Sequence, residues 1–428
     1  MSEMLEMIVG ATNIMKAYEC VVANHGSGGV DGVTTEELLE YLKDNYPRMR
    51  REILTRTYRP QPVLRVEIPK PNGGVRKLGI PTVADRVIQQ AIVQVLGPIF
   101  EPTFCEFSYG FRPKRSAQQA VIKLAGYINA GYEWIVDLDL EKFFDNVPQD
   151  KLMSYVGRVI HDGDTESLIR RYLQAGVMVG DRFEETELGV PQGGPLSPLL
   201  SNVMLNELDK ELMKRELRFV RYADDCVIAV GSEASAKRVM DSITHFIEHR
   251  LGLKVNATKS KVCRPTKLKY LGFSFYRNSE TKDWRPKPHK DSVEKFKTRL
   301  KELCCRSWSV DMDFRISKLN PVIRGWVNYF RIGDMTSRLR GIDEHLRTML
   351  RVVAWKQWKV SSKRFKGLKD LGVEDWIAKK TSQWGNHYQF VAQKSCLMRA
   401  FSKDILKRKG LVSILDYYLE MRPCLTFN

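Results

Sequence analysis

The segment Phe219-Val220-Arg221-Tyr222-Ala223-Asp224-Asp225-Cys226-Val227-Ile228-Ala229-Val230 constrains the fold more than any other stretch of the chain. Apolar runs on both sides read as two strands, and the adjacent carboxylates between them as the tip of a β-hairpin. Adjacent carboxylates repel, and each raises the pKa of the other unless a cation neutralises them. Hard oxygen donors of this kind suit Mg²⁺, which takes one or two carboxylates and completes its shell with water and substrate phosphates. An Asp-Asp pair in a turn is most often just a solvated turn, so its meaning depends on what accompanies it.

Its companion is Trp134-Ile135-Val136-Asp137-Leu138-Asp139-Leu140. This run is too apolar for a surface strand, and it carries acids that a buried sheet does not tolerate unpaired, so something cationic must meet them. With Asp139 on a strand next to the hairpin, Asp139, Asp224 and Asp225 can hold two metals roughly 3.5–4 Å apart, the arrangement of nucleotidyl transfer. Upstream, Leu64 to Ile68 alternates like a strand, Asn72-Gly73-Gly74 reads as a hairpin turn, and Val75 to Ile80 returns as a second strand. Lys70, Arg76 and Lys77 then cluster on one ribbon, which taken alone is ordinary surface charge.

After Trp284 the pattern changes to basic amphipathic helices. Val293, Phe296, Leu300 and Leu303 keep one face, and Leu319, Val322, Ile323, Trp326, Tyr329 and Phe330 form a second stripe. Leu339, Ile342, Leu346, Met349 and Val353 form a third, and the aromatic stripe is read as core rather than as a base-stacking platform. Here composition matters: of a formal charge of +18, residues 281–428 carry +17 and residues 1–280 only +1. Cationic helices neutralise phosphates and release their counterions, so nucleic acid is the expected partner and the last third its grip. The eight cysteines form no CxxC pair and have no His-rich companion cluster, which argues against a zinc ribbon or a disulfide framework. No secretory leader and no apolar stretch of membrane-spanning length is present, so the expectation is a protein of the reducing cytoplasm with no membrane partner.

With these residues in view, Tyr222-Ala223-Asp224-Asp225 resembles the signature hairpin of reverse transcriptases, and its neighbours match in order. The segment Asp139 to Phe144 resembles the first metal-binding motif of the family, and Pro191-Gln192-Gly193-Gly194 its template and nucleotide loop. Gly252 to Val262 resembles the segment bearing a substrate-side lysine, here Lys259, and Leu268 to Phe273 the primer-grip turn. Gly29-Val30-Asp31-Gly32, Tyr109-Gly110-Phe111-Arg112-Pro113 and Leu319 to Trp326 resemble group II intron maturases of the bacterial type.

The resemblance implies an α+β fold of the right-hand polymerase type. Fingers and palm occupy 1–280, with the palm an antiparallel sheet backed by helices. A helical thumb/maturase domain follows over 281–380, then a basic extension, 381–428, as a DNA-binding candidate. It implies an RNA-directed DNA polymerase that also binds intron RNA to assist splicing and retrohoming, with RNA template and DNA primer, dNTP and target DNA as further partners. Two Mg²⁺ ions, with Mn²⁺ able to substitute, would sit on Asp139, Asp224, Asp225 and the Leu140 carbonyl. Lys70 and Arg76 would meet the triphosphate as point charge and bidentate fork. Gln192 and Lys259 would contact nucleotide or template. Phe144 would press against the sugar where a 2′-hydroxyl has no room, with Phe143 left to the core. Arg112, Gly193 and Arg324 within the motifs, and Lys297, Lys301, Lys318 and Arg338 off the apolar stripes, are candidates for nucleic-acid contact. The chain lacks the Cys and His elements of an appended homing endonuclease, so autonomous bottom-strand cleavage is not expected. The alternatives are a maturase that only binds RNA, an RNA-dependent RNA polymerase, which Phe144 disfavours, and a defence-, CRISPR- or diversity-linked reverse transcriptase.

Overall fold

A computed structural model of the chain describes residues 2–69 and 73–423; Lys70 and Asn72, on which part of the expected triphosphate contact and turn rest, lie outside the described residues. The chain divides into two compact units, Met1–Arg264 and Pro265–Asn428.

The first unit is built around two four-stranded sheets. In one, β1 (Val63–Pro69) and β2 (Val75–Ile80) pair antiparallel from Leu64↔Ile80 to Pro69↔Val75, as the alternation predicts. β1 also pairs in parallel with β4 (Val177–Val179), which turns back on β5 (Arg182–Glu184). The other sheet has the order β6 (Arg218–Tyr222), β7 (Asp225–Val230), β3 (Trp134–Leu138), β8 (Lys261–Cys263), and every pair in it is antiparallel. Ile135, Val136 and Leu138 of β3 and Cys226 to Val230 of β7 are all buried, so these strands read as continuous apolar runs rather than as alternating ones. The reason is cover on the sheet: the helix Ala117–Asn129 packs on β6 and β7, and the helix Glu233–His245 on β3, β7 and β8. Ala117–Asn129 starts cleanly because Ser116 and Gln119 form a reciprocal capping box. The helix Val83–Phe100 is apolar almost all round and lies in the core. Its one buried acid, Asp85, accepts from the hydroxyls of Tyr58, Thr82 and Tyr172 and from the Gln61 amide.

The second unit begins earlier than residue 280, because β9 (Phe273–Arg277) and β10 (Trp284–Pro288) pair only with each other among the described residues and belong with the helices that follow. Phe273 packs its ring on Tyr329 and Phe330. The helices Lys290–Leu303, Met312–Phe330 and Thr336–Gln357 bury the expected stripes through Val293, Phe296, Leu300, Leu319, Ile323, Phe330, Leu339 and Leu346. Trp326, half-buried, stacks on Phe296 with centroids 4.4 Å apart, while Tyr329 of the same stripe is exposed, so only Phe330 of the three aromatics is fully in the core.

Residues beyond 381 do not form a separate extension in their described part. Leu397, Leu406, Ile414 and Tyr418 are buried, and the helix Ile414–Met421 packs on Met312–Phe330 and Thr336–Gln357. Three buried arginines hold this unit in a way composition does not reveal. Arg315 donates to the carbonyls of Leu303, Cys305 and Trp308, and Arg351 to that of Ala392. Arg364 donates to the carbonyls of Trp358 and Trp384. Cations set against helix-end carbonyls satisfy groups that have no partner within their own helix.

Candidate active site

The two-carboxylate tip is a two-residue hairpin loop: Tyr222 pairs with Asp225 at the end of the β6–β7 ladder, leaving Ala223 and Asp224 to make the turn. Ala223 takes φ 56°, the left-handed conformation such a loop demands and one that non-glycine residues adopt at a cost. The tip is also met by Gly110, where a Cβ would stand 2.2 Å from the Ala223 nitrogen and 2.9 Å from the Tyr222 carbonyl carbon. Only glycine lets the Tyr109-to-Pro113 run press this closely on the hairpin.

Asp139 follows β3 directly and is held by backbone. Its N–H donates to Ser260 Oγ at 3.0 Å, and its carbonyl accepts the Asn256 N–H at 2.8 Å. Leu140 is bridged to Val255, so β3 in effect runs on past its formal end. Because β3 lies beside β7, Asp139, Asp224 and Asp225 all face one open cleft of about 1360 Å³. The expected cations are present: Lys259 Nζ is 3.3 Å from Asp139 Oδ2, and Lys261 Nζ is 3.9 Å from Asp137 Oδ2. Asp139 Oδ2 is nevertheless buried without a hydrogen-bond partner among the described residues.

The electrostatics of the cleft are those of crowded acids. Burial, then the Asp224, Asp137 and Asp139 charges, push the Asp225 carboxyl up to about 7, with Lys259 opposing; its side chain opens to the cleft, yet the surrounding walls strip much of its hydration. Asp224 is raised by burial and by Asp139, while a backbone hydrogen bond, Arg76 and Arg221 oppose the rise. Burial lifts Asp137 to about 6 against the pull of Lys261. Among the described residues no three His, Cys, Asp or Glu side chains close on one point tightly enough to hold an ion by themselves.

Around the acids the walls are specific. Phe143 and Phe144 open a one-turn helix, Phe143–Asn146; both line the cleft, Phe143 buried and Phe144 half-buried against the core. The Phe144 carbonyl accepts the Val190 N–H at 2.7 Å. This contact depends on Gly189, at φ 89°, where a Cβ would stand 2.9 Å from the Phe144 oxygen. The loop then reaches Gln192, whose carbonyl accepts the Gly79 N–H at 2.8 Å and whose Oε1 accepts from Arg76 Nε at 3.3 Å. Arg76, Gln192, Phe144 and Lys259 therefore line one cleft with the three acids, and Gly193 stands exposed in the same turn.

Arg112 is a correction to the sequence reading. It is buried, with its guanidinium on both Glu101 oxygens and on the carbonyls of Cys105 and Ser108, so it has a structural place rather than a surface offered to nucleic acid. Lys297, Lys301, Lys318, Arg324 and Arg338 are exposed on the helices of the second unit. Lys297 pairs with Glu294 at 2.8 Å, and Arg338 donates to the Pro288 carbonyl at 3.3 Å. Sequence reasoning missed Gly110 and Gly189, whose only signal was a glycine inside or beside a motif. It also missed the buried Arg221 beneath the tip, which reads as an ordinary polar residue in a strand.

Comparison with known proteins gives matches along most of the chain. Residues 68–275 match the family described as reverse transcriptase (RNA-dependent DNA polymerase), and residues 293–372 the group II intron, maturase-specific domain. Protein YkfC of Escherichia coli (strain K12) is 33% identical over 299 residues, covering 60% of this chain and 78% of that protein. A putative COX1/OXI3 intron 2 protein of Saccharomyces cerevisiae is 25% identical over 413 residues, 82% of this chain and 47% of its own length. The group II intron-encoded protein LtrA of Lactococcus lactis subsp. cremoris is 33% identical over 247 residues, 58% of this chain and 40% of that one. The matches thus span most of the first relative and less than half of the other two.

Proposed function

The chain belongs to the reverse transcriptases that carry a group II intron maturase-specific domain, and on that premise we propose that Met1–Arg264 copies RNA into DNA in the Asp139–Asp224–Asp225 cleft while Pro265–Asn428 grips intron RNA. The observation that carries the catalytic half is the meeting of those three carboxylates in one cleft, where the buried Asp139 Oδ2 has the Lys259 ion pair but accepts no hydrogen bond among the described residues.

Asp139, Asp224 and Asp225, with the Leu140 carbonyl beside them, would hold two Mg²⁺ ions, and Mn²⁺ offers the same hard-cation chemistry. When bound, the metal supplies charge neutralisation at the attacking and leaving oxygens of an in-line displacement. The residues of the chain do the rest. Arg76, steadied by Gln192, presents a planar fork to the triphosphate, and Lys70, outside the described residues, is assigned a point charge toward the same phosphates on the family resemblance alone. Lys259 neutralises Asp139 from 3.3 Å and lies within the cleft, where phosphate can compete for it. Phe144 fills the wall beside the nucleotide sugar and selects dNTP over NTP, its ring held by Phe143 at 5.2 Å between centroids. The exposed Lys297, Lys301, Lys318, Arg324 and Arg338 contact RNA backbone, which needs charge without sequence readout. On this reading the protein assists splicing of its intron and uses target DNA as a primer in retrohoming. Among the described residues no helix is long and apolar enough to cross a membrane.

Primer extension tests the assignment. Asp224→Ala abolishes DNA synthesis on an RNA template, and intron-RNA affinity stays within about threefold of the parent, because the RNA-binding charge lies elsewhere in the chain. Near-parental polymerisation by Asp224→Ala would remove this hairpin from the active site.

A further inference from the structure

Behind the Asp224–Asp225 tip lies a buried polar cluster that none of the roles above uses. Arg221, the residue before Tyr222, is fully enclosed, as is Asp209 on the helix Ser197–Lys214. The guanidinium forks onto Asp209, Nε to Oδ1 at 2.7 Å and Nη2 to Oδ2 at 2.5 Å. Its remaining arm, Nη1, donates to the Ala223 carbonyl at 2.9 Å and to Asn202 Oδ1 at 3.1 Å. Asn202 in turn donates Nδ2 to the Gly110 carbonyl at 2.9 Å. The Arg221 backbone is clasped too, its N–H on the Phe107 carbonyl at 3.0 Å and its carbonyl accepting the Tyr109 N–H at 2.8 Å.

We propose that Arg221, Asp209 and Asn202 are positioning residues for nucleotide transfer, a brace that fixes the direction in which the tip presents its carboxylates; the proposal rests on reading Asp224 and Asp225 as the catalytic acids. Ala223 holds φ 56°, and a non-glycine residue keeps that conformation only where its surroundings impose it. Capturing the Ala223 carbonyl fixes the peptide plane between Ala223 and Asp224, and so the bearing of the Asp224 side chain. The brace also has a fixed reference. Asn202 and Asp209 share a face of a helix that begins at Ser197, three residues beyond the Gln192–Gly193–Gly194 turn, so the metal-binding tip and the nucleotide loop are tied to one rigid element. Stability alone explains the ion pair poorly, since apolar residues of similar volume often serve a buried site equally well.

That last fact supplies the experiment, run on the full chain. Arg221→Met combined with Asp209→Leu replaces the pair by apolar side chains, and Asn202→Ala cuts the link to Gly110 while leaving the pair intact. For the double variant, kcat for dNTP addition on a pre-bound primer–template falls about thirtyfold or more, while KM for dNTP moves less than about threefold, because misplacement of reacting groups by an ångström costs this much. Its Mg²⁺ requirement rises, and the gain in thermal midpoint given by Mg²⁺ shrinks. Asn202→Ala shows the same split at about fivefold, with a parental midpoint in the absence of metal. A folded double variant with parental kcat and Mg²⁺ response overturns the proposal. If the double variant does not fold, Asn202→Ala with parental kcat and Mg²⁺ response overturns it instead. Asp224→Ala run alongside separates the two failures: if it polymerises normally, the reading of the tip has failed, whereas a dead Asp224→Ala beside parental brace variants refutes only the brace.

Discussion

Single residues carry their chemistry in their type, and where the type is informative the sequence was readable. Asp139, Asp224 and Asp225 could be found because carboxylates inside apolar runs are expensive and need a cation. Phe143 is the more buried of two adjacent aromatics that both reach the cleft, and the sugar-side role proposed for Phe144 rests on that asymmetry. Phe144→Val should therefore admit ribonucleotides, lowering the ratio of kcat/KM for dNTP over NTP by about tenfold or more. Competitive single-nucleotide incorporation measures that ratio, and an unchanged value in an active variant would show that another group reads the sugar. Arginine was harder to read. In a basic chain Arg112 looks like a phosphate donor, yet it is spent on Glu101 and two carbonyls, while Arg221 gave no sign of its ion pair with Asp209 because that partner is twelve residues away on another element.

At the scale of elements, strands flanked by turn residues and helices with a clear apolar stripe were legible, since each signal lies within a short window. The pairing of β1 with β4 was not, because it joins segments far apart in sequence. Nor was the packing of the last helices, since Ser395–Ala400 and Lys403–Arg408 are six residues each and too short to show a period. The β6–β7 hairpin carries a testable electrostatic burden. In the metal-free protein Asp225 has its carboxyl raised to about 7, against an ordinary value near 4 in the unfolded chain. The folded state therefore holds the proton more tightly, and this group favours folding at low pH and loses that contribution as pH climbs from about 4 through about 7. Solvent in the cleft screens the effect, which leaves roughly 1–2 kcal/mol rather than the full shift. In EDTA, the excess of the parent over Asp225→Asn in thermal midpoint should be larger at about pH 5 than at about pH 8, and Mg²⁺ should stabilise the parent more at the higher pH. A pH-independent difference between the two proteins would mean that Asp225 titrates normally.

For the molecule as a whole, the lopsided charge suggested fingers and palm over 1–280, a helical domain over 281–380 and a basic extension over 381–428, whereas the chain divides into two compact units. The break falls at Arg264 rather than 280 because the β9–β10 hairpin takes its core from the helices after it, a dependence invisible to local pattern. The exposed basic helices then offer a test of the division of work. Reversing Lys297, Lys301, Lys318 and Arg338 to Glu should weaken intron-RNA binding broadly and flatten the slope of log affinity against log salt by roughly 0.7–0.9 for each phosphate that is no longer neutralised. Single-turnover extension of a pre-bound primer should change little. Filter binding across a salt series decides it, and a parental slope would reduce these helices to a solvated surface. The position of the break has a further consequence, for descent. Among the described residues, those lining the candidate cleft are all encoded before codon 265, and the matched maturase-specific segment lies wholly after it. On the proposed function, one missense change in the hairpin removes DNA synthesis without touching the maturase-specific segment, whereas a recombination break at that codon cuts the reverse transcriptase match, which runs on to residue 275.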